Sequence, residues 1–372
     1  MTGLYCTLWL LCFLVQTFLS RSVEISNDFM ALDFSEATGA LTSFRAKEGT
    51  EFTELLDVED TSGLSVWELQ LVDSLGAITI ESANREMEAF EDENGLLSMT
   101  WNSISIFRKE DDDPLATISV TLSVSLSGPL STWNLGFHLM YSNSEIGLWQ
   151  ASILVPTTAG SDEINGELFF PTGYGHAYIN PINSTEGSIS GVYPSGGASM
   201  QFLAAVNDQS YSNSDALPTS GAYVGALDMK GFMKTIEYVT WDERVQRNSD
   251  NVSHATYQKL TRRHRDRSGL FVASRAKNTA DMNFDMESRG SDSRRVSFLS
   301  ISSVVDNAGK PISAGFSWDL PYAVAVGVVN DVSHSNGFPL WYQAAKMYRE
   351  YIHPSAPWLQ QKISDRVPAW YR

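Results

Sequence analysis

Cysteine is nearly missing from this chain of 372 residues: there are two, Cys6 and Cys12, and both fall within the first 21 positions. Leu8 to Leu19 reads LWLLCFLVQTFL and is followed by Ser20-Arg21-Ser22, the layout of a secretory signal peptide. Cleavage after such a leader leaves no thiol, which excludes disulfides, thiolate metal sites and a cysteine nucleophile. The expected location is therefore the secretory lumen or the exterior. An exported chain without cross-links depends on a large buried core, which roughly 350 residues can supply. Long apolar runs are absent too. The leader is too short to remain as a membrane helix, and no later segment approaches the roughly 20 apolar residues that a span needs. Positive charge is scarce as well: 26 Lys and Arg stand against 44 Asp and Glu, a formal net charge of −18. That balance disfavours nucleic acid and anionic membranes as partners and suits neutral ligands such as sugars.

Recognisable catalytic and nucleotide motifs are missing. There is no Gly-Lys-Ser/Thr P-loop, no Gly-x-Gly-x-x-Gly after a strand, no His-Glu-x-x-His and no Gly-x-Ser-x-Gly, so nucleotide, zinc-protease and α/β-hydrolase chemistry have no foothold. Asp281, Asn283, Asp285 and Asp292 match four positions of a calcium loop, yet Met286 stands where glycine must make the sharp turn. That segment is expected to be a solvated acidic loop, and neither a metal nor a cofactor is expected. Asp111 to Pro114 reads as a charged turn. One basic cluster, Lys259 to Arg267 (KLTRRHRDR), lies in a polar stretch from about Asp242 to Arg295. It is expected to be a solvated loop between strands; the alternative is a polyanion-binding or processing site.

What the chain does have is alternation with period two. Ile118 to Leu126 (ISVTLSVSL) alternates without error, so one face is buried and the other meets water or a polar layer. Segments 66–72, 77–80, 96–101, 146–155, 199–206, 232–241, 296–302 and 322–329 are further strand candidates. Turn residues separate them at 73–76, 93–95, 128–129, 195–197 and 306–311. Many strands joined by short turns predict an all-β, large two-sheet antiparallel β-sandwich. Only the tail differs. Trp341, Ala344, Ala345, Tyr348 and Ile352 share one face of a helix ended by Pro354 and Pro357. Ser355 can cap a short helix through Lys362, and 367–371 reads as a fresh extended piece. The tail is thus a C-terminal helical connector that either folds back onto the sandwich or exposes an apolar patch.

Three segments resemble a known family. Met30 to Phe44 resembles the opening hairpin of galactose-mutarotase-like β-supersandwich domains. Tyr193 to Ala205, with Gly221 to Lys230 and Lys234, resembles the central strands of an uncharacterised glycoside-hydrolase-like family. In that family a supersandwich precedes a TIM barrel distantly similar to those of α-galactosidase and endo-α-N-acetylgalactosaminidase. Trp341 to Arg349, through Arg366 to Trp370, resembles the connector into the first barrel strand. The resemblance implies a leader over 1–21, a supersandwich over 22–338 and, over 339–372, a helical linker with the first segment of a barrel. A barrel needs about 250 residues, and in such enzymes it carries the catalytic carboxylates. The implied partner is a missing C-terminal TIM barrel, and no catalytic residue is assigned within this chain.

A mutarotase would need a His acid and a Glu base facing one another across a sheet. His138, in Gly-Phe-His-Leu-Met, is read as a packed or edge residue. His176 lies in a Gly-bracketed aromatic loop (FFPTGYGHAY), where Tyr174 or Tyr178 could stack on a sugar while His176 donates a hydrogen bond. Trp149 is a second candidate platform. Tyr174, His176, Tyr178 and Trp149 are the candidate carbohydrate contacts, and Asn183 and Asn251 the candidate glycan acceptors. The expected function is a non-catalytic N-terminal sandwich of a secreted glycoside-hydrolase-like protein. The alternatives are a stand-alone carbohydrate-binding or cell-surface module and, below it, a mutarotase-type epimerase.

Overall fold

The computed structural model describes residues 22–48, 50–56, 64–91, 95–108, 113–143, 145–157, 166–170, 176–179, 189–193, 202–207, 221–226, 235–240, 260–263, 268–273, 282–291, 294–304, 309–329, 340–347 and 350. Tyr174, Asn183, Asn251, the leader and residues 351–372 lie outside them, as do the second short helix and the extended piece expected in the tail.

The N-terminal segment forms an antiparallel meander of β1 (Ser22–Ser26), β2 (Met30–Ser35), β3 (Leu41–Glu48) and β4 (Glu51–Glu54). β5 (Trp67–Asp73) and β6 (Gly76–Glu81) follow, joined by the tight turn that Asp73 to Gly76 predicted. Then come β7 (Glu88–Glu91), β8 (Leu97–Ile106), β9 (Ala116–Ser127), β10 (Leu130–Ser142) and β11 (Gly147–Thr157). The next strands are β12 (Gly166–Phe170), β13 (His176–Ile179), β14 (Ile189–Tyr193), β15 (Phe202–Asn207) and β16 (Gly221–Ala226). β17 (Thr235–Thr240), β18 (Leu260–Arg263) and β19 (Ser268–Ala273) make a small sheet of their own. β20 (Met282–Ser291), β21 (Arg294–Val304), β22 (Ser317–Asp319), β23 (Val324–Val329) and the helix α1 (Leu340–Met347) complete the described elements.

Two sheets form the sandwich. The larger has the order β13-β12-β15-β16-β23-β10-β9-β8-β7, with β22 paired beside β10; the smaller has the order β14-β20-β21-β11-β5-β6. Trp67 of β5 meets Trp101 of β8 edge to face, with ring centroids 5.5 Å apart, so the sheets face one another through aromatic side chains. The meander packs on the same core: Phe34 lies 5.7 Å from Trp133 of β10, and Met30, Leu32, Leu41 and Phe44 are all fully buried. The expected all-β, two-sheet antiparallel sandwich is the fold found.

α1 lies on the outer face of the larger sheet, over β12, β15 and β23. Ala344 is fully buried there, and Met347 reaches to within 3.4 Å of the position that a Cβ on Gly327 would take. These first two turns of the tail therefore fold back onto the sandwich.

Two expectations need correction. The segment 282–291 is a strand, not a solvated acidic loop: Met282, Phe284 and Met286 alternate with Asn283, Asp285 and Glu287, and every residue of β20 pairs with β21. Its acids sit at alternate positions, where period two leaves one face for polar groups. Within the stretch 242–295, expected to be a loop, the basic residues Arg262 and Arg263 lie in β18, which pairs with β19.

Candidate functional site

Of the expected carbohydrate contacts within the described residues, Trp149 lies in a different sheet from His176 and Tyr178. His176 and Tyr178 lie on β13, the edge strand of the larger sheet, where they pair with Phe170 and Leu168. Trp149 lies on β11 in the smaller sheet. It is the extra residue of a β-bulge, since Leu148 pairs with Leu71 and Gln150 with Gln70. Half-buried, its ring comes within 3.3 Å of the place where a Cβ on Gly309 would stand. Beneath it the backbone of the 309–312 turn runs so close to β11 that a Cβ on Gly147 would fall 2.5 Å from the Gly309 carbonyl carbon. Trp149 thus covers a backbone crossing.

His138 is neither packed in the core nor on an edge strand. β10 is flanked by β9 on one side and by β23 and β22 on the other, and His138 is exposed on the outer face. Five strand spacings separate it from β13, roughly 24 Å.

Around His138 the outer face carries an array that no local sequence motif marks. β8, β9 and β10, of 10, 12 and 13 residues, contain no Lys, Arg, Asp or Glu, in a chain where 19% of residues are charged. Their inward residues are Leu, Ile, Val, Met, Trp and Phe; the outward ones are chiefly Ser, Thr and Asn, with His138 among them. In one row, Ser119 of β9 faces His138 of β10, which faces Ser317 of β22. Ser119 Oγ donates to Asn102 Oδ1 at 3.1 Å, Asn102 Nδ2 donates to Glu88 Oε2 at 3.4 Å, and His138 Nδ1 lies 2.8 Å from Ser317 Oγ. In the next row Thr100 and Thr121 hydroxyls are 3.4 Å apart, and Thr121 faces Gly136, which faces Asp319. The missing side chain at Gly136 makes a dent partly filled by Asp319, whose Oδ1 is 2.8 Å from where a Cβ would be.

Two β-bulges bracket Ser119. Trp101 pairs with Val120 and Ile104 with Ile118, so Asn102 and Ser103 both oppose Ser119. Ser103 takes φ of +53°, a left-handed conformation that costs a non-glycine residue about 1 kcal/mol or more. On the other side Leu139 pairs with Ile118 and Tyr141 with Thr117, leaving Met140 as the extra residue. Bulges re-aim side chains; here they leave Asn102, Met140 and Tyr141 all exposed, Tyr141 at 49%. The bulge signal is present in the sequence as a slip of phase, Leu97-Met99-Trp101 giving way to Ile104-Ile106. The array can offer hydroxyl, amide, imidazole and carboxylate groups beside an aromatic face.

Among the described residues no group of three or more His, Cys, Asp or Glu is placed to hold a metal, and no helix is long and apolar enough to cross a membrane.

No family model matches the chain. A protein of Monosiga brevicollis that carries the provisional name of glycoside hydrolase is 26% identical over 231 residues, covering 61% of this chain. The chain spans 13% of that relative's length. Among solved structures, an α-N-acetylgalactosaminidase from Bifidobacterium bifidum, in complex with GalNAc, matches 90% of this chain and 39% of its own, with 9% identity and a TM-score of 0.47. A galactose mutarotase-like protein from Lactobacillus casei matches 83% of this chain and all of its own, with 8% identity and a TM-score of 0.38. The Monosiga brevicollis relative carries the name of a glycoside hydrolase, one of the two kinds of protein that the residues resemble.

Proposed function

We propose that this chain is the N-terminal β-supersandwich of a secreted glycoside-hydrolase-like protein, with a structural and substrate-shaping role, and that the catalytic groups belong to a TIM barrel outside it. The observation that carries this reading is the 231-residue likeness to a much longer protein bearing a glycoside-hydrolase name. The segment from Trp341 to Trp370, which resembles a connector into a barrel, supports it, as does the folding of α1, where that segment begins, against the sandwich. Secretion rests on the leader and on the sequons at Asn183 and Asn251.

The test is hydrolysis. Purified full chain, incubated with aryl α- and β-galactosides and aryl N-acetylgalactosaminides, should release phenol at the buffer rate. Expression of the longer reading frame, where the gene encodes a barrel, should yield turnover. Turnover by the chain alone, lost on substitution of one of its own carboxylates, refutes the proposal. A stand-alone carbohydrate-binding module is the second reading, favoured by the uncharged outer face.

A further inference from the structure

We infer that the outer face around Ser119 is a binding site for a neutral glycan, with Tyr141 as the stacking platform and Asn102, His138 and Asp319 as the hydrogen-bonding groups. The inference deepens the carbohydrate-related reading and rests on it.

The first argument is charge. An exposed sheet face in an acidic protein ordinarily carries Lys and Glu for solubility, yet three long adjacent strands present none. A phosphorylated, sulfated or nucleic-acid ligand would require Arg or Lys on the face. With nothing positive there, the complementary ligand is uncharged. The second argument separates a sugar from a protein. Protein interfaces have apolar centres and are depleted of serine, whereas the centre of this face is Ser119, Thr121 and Ser123, with the exposed apolar surface at one end, in Met140, Tyr141 and, just past β8, Phe107. An aromatic ring beside many short hydrogen-bonding groups matches a pyranose, which has one C–H face and a rim of hydroxyls.

The third argument is capacity. Ser317 occupies Nδ1 of His138, which leaves the other ring nitrogen for a ligand. Asn102 uses one amide hydrogen on Glu88 and its carbonyl on Ser119, leaving a second hydrogen to donate. Asp319 stands exposed beside the dent at Gly136, with acceptor oxygens for sugar hydroxyls. The strained Ser103 lies opposite Ser119 on one side, and on the other the bulge at Met140 follows one pair further along, between the partners of Ile118 and Thr117. Backbone strain of this kind persists where the surrounding structure enforces it.

The test is titration of the full chain, followed by NMR or calorimetry. The probes are methyl β-galactoside, methyl N-acetyl-α-galactosaminide, methyl β-glucoside and a neutral galactan, with heparin as the sulfated control. At least one neutral probe should bind with an affinity insensitive to salt. Tyr141→Ala should weaken it roughly three- to tenfold, and Asn102→Ala and His138→Ala about fivefold each. Thr121→Lys, which puts a long charged side chain across the floor without touching the ring, should weaken it as well. Melting curves must show that the variants fold. Binding that survives these changes but is lost in Tyr174→Ala or His176→Ala overturns this inference and leaves the carbohydrate reading standing. No neutral probe bound, or salt-sensitive binding of heparin alone, overturns it too. Hydrolysis by the isolated chain would instead refute the non-catalytic role, so the two ideas fail separately.

Discussion

Adding one methyl group at Gly39 should be among the costliest small changes in this protein. Gly39 closes the β2–β3 hairpin, with its N–H donating to Ser35 O at 2.8 Å, and has φ of +70°. A Cβ there would lie 2.4 Å from Cζ2 and 3.1 Å from Cη2 of Trp101. The indole has nowhere to go: it is fully buried, its Nε1 donates to Thr38 O at 3.0 Å, and its neighbour Trp67 packs against it. Alanine pays about 1–2 kcal/mol for the left-handed conformation, and overpacking a tight core adds about 1–3 kcal/mol. Gly128, with φ of +58° and nothing within 4 Å of its would-be Cβ, isolates the first cost from the second. Urea unfolding followed by tryptophan fluorescence should therefore show Gly39→Ala less stable than Gly128→Ala by about 1–3 kcal/mol. Trp101→Phe, which shortens the ring, should reduce the gap. Equal losses at the two glycines would refute the steric argument.

Three further outcomes follow from burial. The Tyr322 phenol is buried, and that pushes its pKa up. Above pH ~10 the unfolded chain loses this proton while the native one keeps it, so native stability falls by about 1.4 kcal/mol per pH unit. Below that pH it contributes no slope. Tyr322→Phe should flatten the dependence between pH 9.5 and 11.5 on urea midpoints, to an extent flagged by roughly one proton; an unchanged slope rejects the assignment. Ala344 of α1 is fully buried against the larger sheet, so Ala344→Asp should lower stability by about 2–4 kcal/mol. Truncation after Gly337 should likewise lower the melting temperature; improved solubility with an unchanged melting temperature would show that α1 is dispensable.

The strands most legible in the sequence were those whose alternation never slips. Ile118 to Leu126 is the clearest, and β9 is the straight strand against which both bulged neighbours are registered. β10 was harder to read, since Leu139-Met140-Tyr141 breaks the alternation with an apolar run. β20 shows period two through Met282, Phe284 and Met286, but its acids suggested a loop, because pairing with β14 and β21 outweighs the low strand propensity of Asp and Glu. The candidate array was not legible as a motif. Its members lie on four strands far apart in the chain, and only the pairing of β9 with β8 and β10, and of β10 with β22, gathers them. Single-residue searches favour rich local strings such as the aromatic run around His176, while a face built from Ser, Thr and Asn gives no local signal. What the sequence could have offered was the lack of charge across three successive strands.

The backbone crossing under Trp149 has an evolutionary consequence. Position 147 admits no side chain because position 309 passes against it, and the indole that roofs the contact leaves little space above 309. Three residues from two distant stretches of the chain therefore share one fate. Descendants should keep both glycines and the roof together, or abandon them together by rebuilding the turn, and a lineage holding only one of the glycines should be rare.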